Sequence, residues 1–330
     1  MKKSIYLVLF CFLLLLFVSC NPDVINHKGQ KVVTLVVGLD YKQRYNALTA
    51  LKFKDGVKEY YVSELRASLR DSKEVGAALD ELYTEKNVQH ETIFMLSESD
   101  RPDYSSKYYP NADNVMNKIK SLELDEDDLF VFFYAGHGYY SGNEMYLLLG
   151  DTSISCNYCS YITSSNLLST IKELPCRSVI ILDSCFSGVA DPGNSPSSET
   201  LLYSLNSMLK ERINTESEIK LSVICASKWN EESLEGYYVK TNDGPIEEHG
   251  QFSGRLLSVL GWKHSSKKTT TVNQGTENEI VASGYISSFK GSLSLDEIYS
   301  KILDGWTYPN MKQHPVLYYT NESINLIPVN

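Results

Sequence analysis

The stretch Val179 to Gly188, reading Val-Ile-Ile-Leu-Asp-Ser-Cys-Phe-Ser-Gly, limits the possible folds of this chain more than any other. Its four apolar residues, mostly β-branched, are too few for a helix and stop abruptly at a small polar cluster. This predicts a buried strand that delivers Cys185 to its carboxyl end. Leu129 to Gly138 repeats the pattern as Leu-Phe-Val-Phe-Phe-Tyr-Ala-Gly-His-Gly and presents His137 in the same way. Reactive groups and ligands in open α/β sheets collect at the carboxyl ends of strands. Two strands therefore offer a thiol and an imidazole where chemistry would occur. A thiol is a weak nucleophile until it loses its proton, and imidazole is well suited to accept that proton near neutral pH. The glycines flanking His137 leave room for a peptide carbonyl, with the Gly138 and Cys185 amides as donors to an oxyanion.

Around these two runs the chain alternates. Lys31 to Asp40 reads as a buried first strand. Asp71 to Asn87 is an amphipathic helix with Val75, Ala78, Leu79 and Leu82 on one face and Asp71 or Ser72 as its cap. Glu91 to Leu96 is a strand, and Asn111 to Leu122 a helix. Met145 to Gly150 is a short strand, Asn166 to Glu173 a helix, and Leu201 to Ile213 another. Leu221 to Ala226 is a strand, and a helix runs from His249-Gly250-Gln251 to Leu260. Ser294 to Trp306 is the last helix and Val316 to Tyr319 the closing strand. Such alternation predicts a mostly parallel sheet covered on both faces. Tyr41 to Arg70 reads as surface packing or, as the alternative, part of a substrate-cleft wall, Val189 to Glu199 as a loop, and the polar Lys263 to Asn278 as a flexible insertion.

The formal net charge of −10 excludes nucleic acid as an expected partner. Lys2 and Lys3 precede a 14-residue apolar run, Ile5 to Val18, short for a membrane span and fitting a secretory signal. Ser19-Cys20 resembles a bacterial lipobox, which makes residues 1–20 a signal, Cys20 the lipidated mature terminus and 21–30 a tether to a single domain over 31–330. The expected location is the bacterial cell envelope, outside the cytoplasm, with the membrane contacted through that lipid. Cys156 and Cys159 lack the second ligand pair a zinc ribbon needs, so a disulfide between them, or from either to Cys176, is expected in an oxidising compartment.

The motifs Tyr-Ala-Gly-His-Gly and Asp-Ser-Cys-Phe-Ser-Gly resemble the catalytic His and Cys motifs of caspase-like cysteine peptidases, in the metacaspase and bacterial caspase-homologue branch. The His-before-Cys separation is 48 residues, beside roughly 50 in caspases. The resemblance implies a three-layer α/β sandwich on a mostly parallel six-stranded sheet with helices on both faces. It also implies a Cys185/His137 dyad with an oxyanion hole from Gly138 and Cys185. True caspases carry Gln-Ala-Cys; the Asp-Ser-Cys of the metacaspase branch implies that Asp183 faces a basic side chain, so peptide or protein substrates would be cut after Arg or Lys. Ser227 would line the same pocket, while an acid that relatives often carry near Trp229 and Asn230 is absent. No cofactor is required by this reading and no metal ligand set is assigned; calcium, which some metacaspases use, would draw on Asp151 and Asp191. Self-cleavage would fall at Lys263, Lys267 or Lys268 of the insertion. The competing reading, a catalytically silent caspase-like binding scaffold at the cell envelope, leaves the intact His137 and Cys185 unexplained.

Overall fold

The computed structural model describes residues 30–42, 51–54, 56, 58–97, 103–141, 144–153, 156–185, 221–228, 230–241, 244, 246–274, 279–287, 289, 294–304, 306, 312–319 and 323–326. The signal and lipobox with Cys20, Asp191, the loop Val189 to Glu199 and the helix Leu201 to Ile213 lie outside the described residues. Among the described residues no helix is long and apolar enough to cross a membrane.

Six strands form the central sheet: β1 (Lys31–Leu39), β2 (Gln89–Ser97), β3 (Leu129–Ala135), β4 (Arg177–Asp183), β5 (Leu221–Cys225) and β6 (Val316–Tyr319). Their order is β6-β5-β4-β3-β1-β2, parallel throughout except for β6, which runs antiparallel to β5 at one edge. Buried on both faces, β1, β3 and β4 are nearly continuous apolar runs. The two-residue period still sorts their side chains. Val33, Leu35, Val37 and Leu39 enter one core and Val32 and Val36 the other.

Helices complete the sandwich. Helix α1 (Ser68–Glu85), α4 (Gln251–Leu260) and α5 (Leu295–Asp304) supply Leu79, Leu82, Leu256, Leu257, Ile298 and Ile302 to the second core; α2 (Ala112–Lys120) and α3 (Ser164–Lys172) supply Val115, Ile119, Leu167 and Leu168 to the first. Truncating one such leucine to alanine costs roughly 2–5 kcal/mol. Local sequence sets the helix ends. Asn111 accepts the Asn114 amide at 2.8 Å and Thr163 the Asn166 amide at 3.2 Å, and Gly261, at φ 82°, ends α4 in the left-handed form that glycine adopts most readily.

Four features differ from the sequence expectations. Helix α1 begins at Ser68, so Asp71 and Ser72 are buried inside it instead of capping it, and its Ala67 N-cap makes no side-chain bond. A remote carboxylate does that work: Glu235 Oε1 accepts the Arg66 and Ala67 amides at 2.8 and 2.6 Å. The segment between Tyr41 and Arg70 holds a short hairpin, Lys52–Lys54 with Glu59–Tyr61. The expected flexible insertion folds into paired strands, Trp262–His264 with Gly284–Ile286 and Thr270–Asn273 with Glu279–Ala282. Trp262, Val272 and Ala282 fix these strands to the core, and Lys268 Nζ lies 3.5 Å from the Tyr285 ring centroid. A polar, aperiodic sequence concealed strands held by tertiary packing; Lys263 lies within one of them, while Lys267 and Lys268 stand exposed in the turn before Thr270. Finally, none of Cys156, Cys159 and Cys176 forms a disulfide; Cys159 and Cys176 are buried as apolar side chains in the first core.

Candidate active site

Strands β3 and β4 are neighbours in parallel register, with Ala135 beside Asp183 at their carboxyl ends. The chain beyond each end is bonded back to the sheet. The Gly136 amide donates to the Asp183 carbonyl at 3.2 Å, the Ala226 amide to the Leu182 carbonyl at 2.8 Å, and the Ser227 hydroxyl to the Ser184 carbonyl at 3.2 Å. His137 and Cys185 therefore emerge side by side into one cleft, which is also lined by Asp71, Asp183, Ser233, Glu235 and Gly250. At Gly138 a side chain is impossible, because an added Cβ would fall 1.9 Å from the Cys185 carbonyl oxygen. That contact brings the backbones on which the two chemical groups stand together.

His137 is held at three points. Its amide donates to Tyr41 Oη at 2.9 Å, and its carbonyl accepts from Tyr134 Oη at 2.8 Å. The Tyr41 and Tyr134 hydroxyls lie 3.0 Å apart, and each reaches the Leu148 carbonyl at 2.6 Å. Tyr41 takes a φ of 55°, a left-handed conformation uncommon for tyrosine, to reach this place. Third, His137 Nε2 is 2.8 Å from the Ser63 carbonyl oxygen. A carbonyl only accepts, so Nε2 carries the ring proton and Nδ1 keeps its lone pair. Burial lowers the pKa of His137 below the usual histidine value, opposed by the Ser63 bond.

The Cys185 thiol points at the Ser233 carbonyl, 3.7 Å away. Burial pushes its pKa up to about 11, and the nearby carboxylates of Glu232 and Asp183 push the same way. Both shifts favour the uncharged forms, neutral imidazole and neutral thiol.

The acidic wall holds more carboxylates than sequence reading assigned. Asp183 Oδ1 accepts from Ser233 Oγ at 2.6 Å, and Oδ2 from the Ser253 amide and hydroxyl at 3.1 and 2.6 Å. Asp71 Oδ2 accepts from the Gly250 amide at 2.9 Å. An added Cβ on Gly250 would stand 2.8 Å from Asp183 Oδ2 and 3.0 Å from Asp71 Oδ2, so the two acids flank one glycine. Burial raises the pKa of both, and for Asp71 the charge of Asp183 adds to the effect. Among the described residues neither pairs with a Lys or Arg.

Ser227 is fully buried and donates to the Ser184 carbonyl, and Ser233 lines the cleft. Glu235, five residues beyond Asn230, also lines the cleft. Asp71 was legible in principle: it shares a helical face with Val75, Ala78 and Leu82, and an acid on the apolar stripe of a helix calls for a function. The Ser63 carbonyl and the two tyrosines left no such signal. Asp151, a calcium candidate, is buried with Oδ1 accepting from Tyr109 at 2.7 Å and Oδ2 3.4 Å from the Tyr104 hydroxyl; the other candidate, Asp191, lies outside the described residues.

A family model of the caspase domain matches residues 47–322. Among solved structures, the protein GSU0716 from Geobacter sulfurreducens is similar over 88% of this chain and 93% of its own, at 16% identity and a TM-score of 0.48. No curated protein matches the chain.

Proposed function

The chain belongs to the caspase-domain family of peptidases, and from that premise we propose that it is a cysteine endopeptidase that cuts after arginine or lysine. The observation that carries the reading is one cleft lined by His137, Cys185 and the carboxylates Asp71, Asp183 and Glu235. In this reading the substrate carbonyl lies over the Gly138 and Cys185 amides. Cys185 attacks as His137 Nδ1 takes its proton, forming the carbon–sulfur bond and an oxyanion that the two amides receive. The tetrahedral species collapses, His137 returns the proton to the leaving amine, and water later hydrolyses the acyl-enzyme with His137 as base. Proton transfer accompanies attack because the thiol is neutral at rest.

Specificity follows from charge. Asp71 and Asp183 have hydrogen-bond donors but no Lys or Arg counter-ion among the described residues, and each raises the cost of ionising the other. A guanidinium or ammonium group entering the cleft beside them would offset that repulsion, and a charge-assisted contact of this kind contributes on the order of 1.5–3 kcal/mol. Residues 1–20, ending in the lipobox cysteine Cys20, support a lipid-anchored peptidase of the cell envelope.

Fluorogenic peptides differing only at the residue before the cut test the reading. Arg and Lys peptides should be cleaved, and Cys185→Ala should lower turnover more than about a thousandfold with the fold retained. Preference for an acidic residue, or undiminished turnover by a folded Cys185→Ala protein, would refute it.

A further inference from the structure

Behind the Asp71 wall, four side chains from three elements converge. Glu74 comes from α1, Glu247 and His249 from the strand Ile246–Gly250, and His264 from the strand Trp262–His264. One ligand-type atom from each lies within 4.8 Å of all the others. Glu74 is 1% exposed, His249 0% and His264 7%. Among the described residues Glu74 Oε1, Glu247 Oε2, His249 Nε2 and His264 Nδ1 have no hydrogen-bond partner. His264 Nδ1 lies 2.9 Å from Glu74 Oε2 and 3.7 Å from Glu247 Oε2, and His249 Nε2 lies 3.9 Å from Glu74 Oε2. Buried polar atoms are otherwise nearly always hydrogen-bonded, so four that are not, gathered in so small a space, call for a ligand.

The surroundings orient these groups as a metal site requires. Asp71 Oδ1 is 2.7 Å from His249 Nδ1. Drawn as a carboxylate accepting from that nitrogen, the pair puts the ring proton on Nδ1 and turns the Nε2 lone pair into the cluster. Carboxylate-held imidazoles of this kind are the usual partners of a bound metal. Trp262 Nε1 donates to Glu74 Oε2 at 2.8 Å, fixing the second carboxylate. The Arg70 guanidinium donates to the Glu248 carbonyl at 2.9 Å. Glu74 also lines an open cleft between α1 and the strand Glu279–Ala282, which gives an ion a route from solvent.

We propose that Glu74, Glu247, His249 and His264 bind one divalent transition-metal ion, of which zinc fits best. Ligands about 2.0–2.1 Å from a tetrahedral ion stand roughly 3.3 Å apart; the distances of 2.9 and 3.9 Å from the imidazoles to the Glu74 carboxylate and of 3.7 Å to Glu247 surround that value, with all four groups within 4.8 Å. Two imidazoles with two carboxylates suit zinc, whereas calcium takes six to eight oxygens. The carboxylates neutralise the ion's charge. Bound there, the ion would cross-link α1 to both strands and fix Asp71 from behind, whatever substrate the cleft takes.

The test uses the full chain with Cys185→Ala, so that the cleft thiol cannot hold the ion, stripped by chelator and titrated with zinc. One ion per chain should bind and raise the unfolding temperature, and cobalt should give the visible bands of a tetrahedral nitrogen–oxygen site. Adding His264→Ala, or separately Glu247→Gln, should weaken zinc binding at least about a hundredfold. No uptake by the parent protein, or equal affinity in both variants, would overturn the proposal. Because the parent titration needs no further substitution, misfolding of a variant cannot rescue it.

Discussion

The cleft and the cluster behind it share Asp71 as their partition, and both bury acids, yet they treat them differently. In the cleft each oxygen of Asp183 has a donor, from Ser233 or Ser253. In the cluster Glu74 and Glu247 each leave an oxygen without a hydrogen bond, beside two imidazole nitrogens that have none either. An acid that is hydrogen-bonded but lacks a counter-ion can wait, preorganised, for a cation that comes and goes with substrate. An acid that is not hydrogen-bonded costs too much to leave so, because burial without a partner costs more than a net hydrogen bond returns. The first arrangement suits turnover and the second suits a resident ion.

The comparison is sharpened first by the resting state of the thiol, where the largest effect is expected. Raising the Cys185 pKa from 9.0 to about 11 lowers the thiolate fraction at any pH below both values, by about a hundredfold at pH 8. Lowering the His137 pKa keeps the imidazole uncharged and removes the cation that would otherwise stabilise a thiolate. Alkylation of Cys185 by iodoacetamide, followed by peptide mass, should therefore climb about tenfold per pH unit through pH 9. A plateau below pH 8 would show a preformed thiolate–imidazolium pair and sink the neutral resting state.

The second effect is smaller and belongs to the acidic wall. Asp183→Asn keeps a side chain that can still accept from Ser253 but removes the charge. Preference for Arg over an uncharged isostere should fall about ten- to a hundredfold in kcat/KM. Zinc affinity at the cluster should stay within about threefold, since the wall rather than the cluster has been altered. An unchanged Arg preference would place the specificity elsewhere than in Asp183.

How much of this was legible follows from where the information sits. Val179 to Gly188 and Leu129 to Gly138 declared themselves because a buried parallel strand has one composition, and abrupt small residues mark its end. They were enough for two neighbouring strands of the sheet and for the cleft at their carboxyl ends. Asp71 was misread as a cap because its neighbours Ser68 and Ser72 also suit a helix start, and the true cap, Glu235, lies far along the chain. Ser233, six residues beyond Ser227, lines the cleft without any local pattern that marks it. The cluster was invisible: its ligands come from a helix and two short strands with no shared spacing, and one of those strands sits in a segment whose polarity read as disorder.

The smallest predicted effect concerns the imidazole side of the cleft. Tyr41 Oη accepts the His137 amide and bonds the Leu148 carbonyl, while Tyr134 supports the His137 carbonyl. Tyr41→Phe removes one of these supports and leaves a buried N–H without an acceptor, at a cost of about 1–3 kcal/mol. Part of that cost falls on stability, and part on the alignment of Nδ1 with the thiol, where displacement of the base raises the barrier without touching substrate binding. The expected result is a fall in kcat of about five- to tenfold with KM within twofold, and a lower unfolding midpoint. A role in packing alone would lower the midpoint and leave kcat unchanged, and that outcome would remove Tyr41 from the positioning of His137. Tyr134→Phe should do less, since the Leu148 carbonyl keeps its bond from Tyr41 and the His137 amide keeps its acceptor.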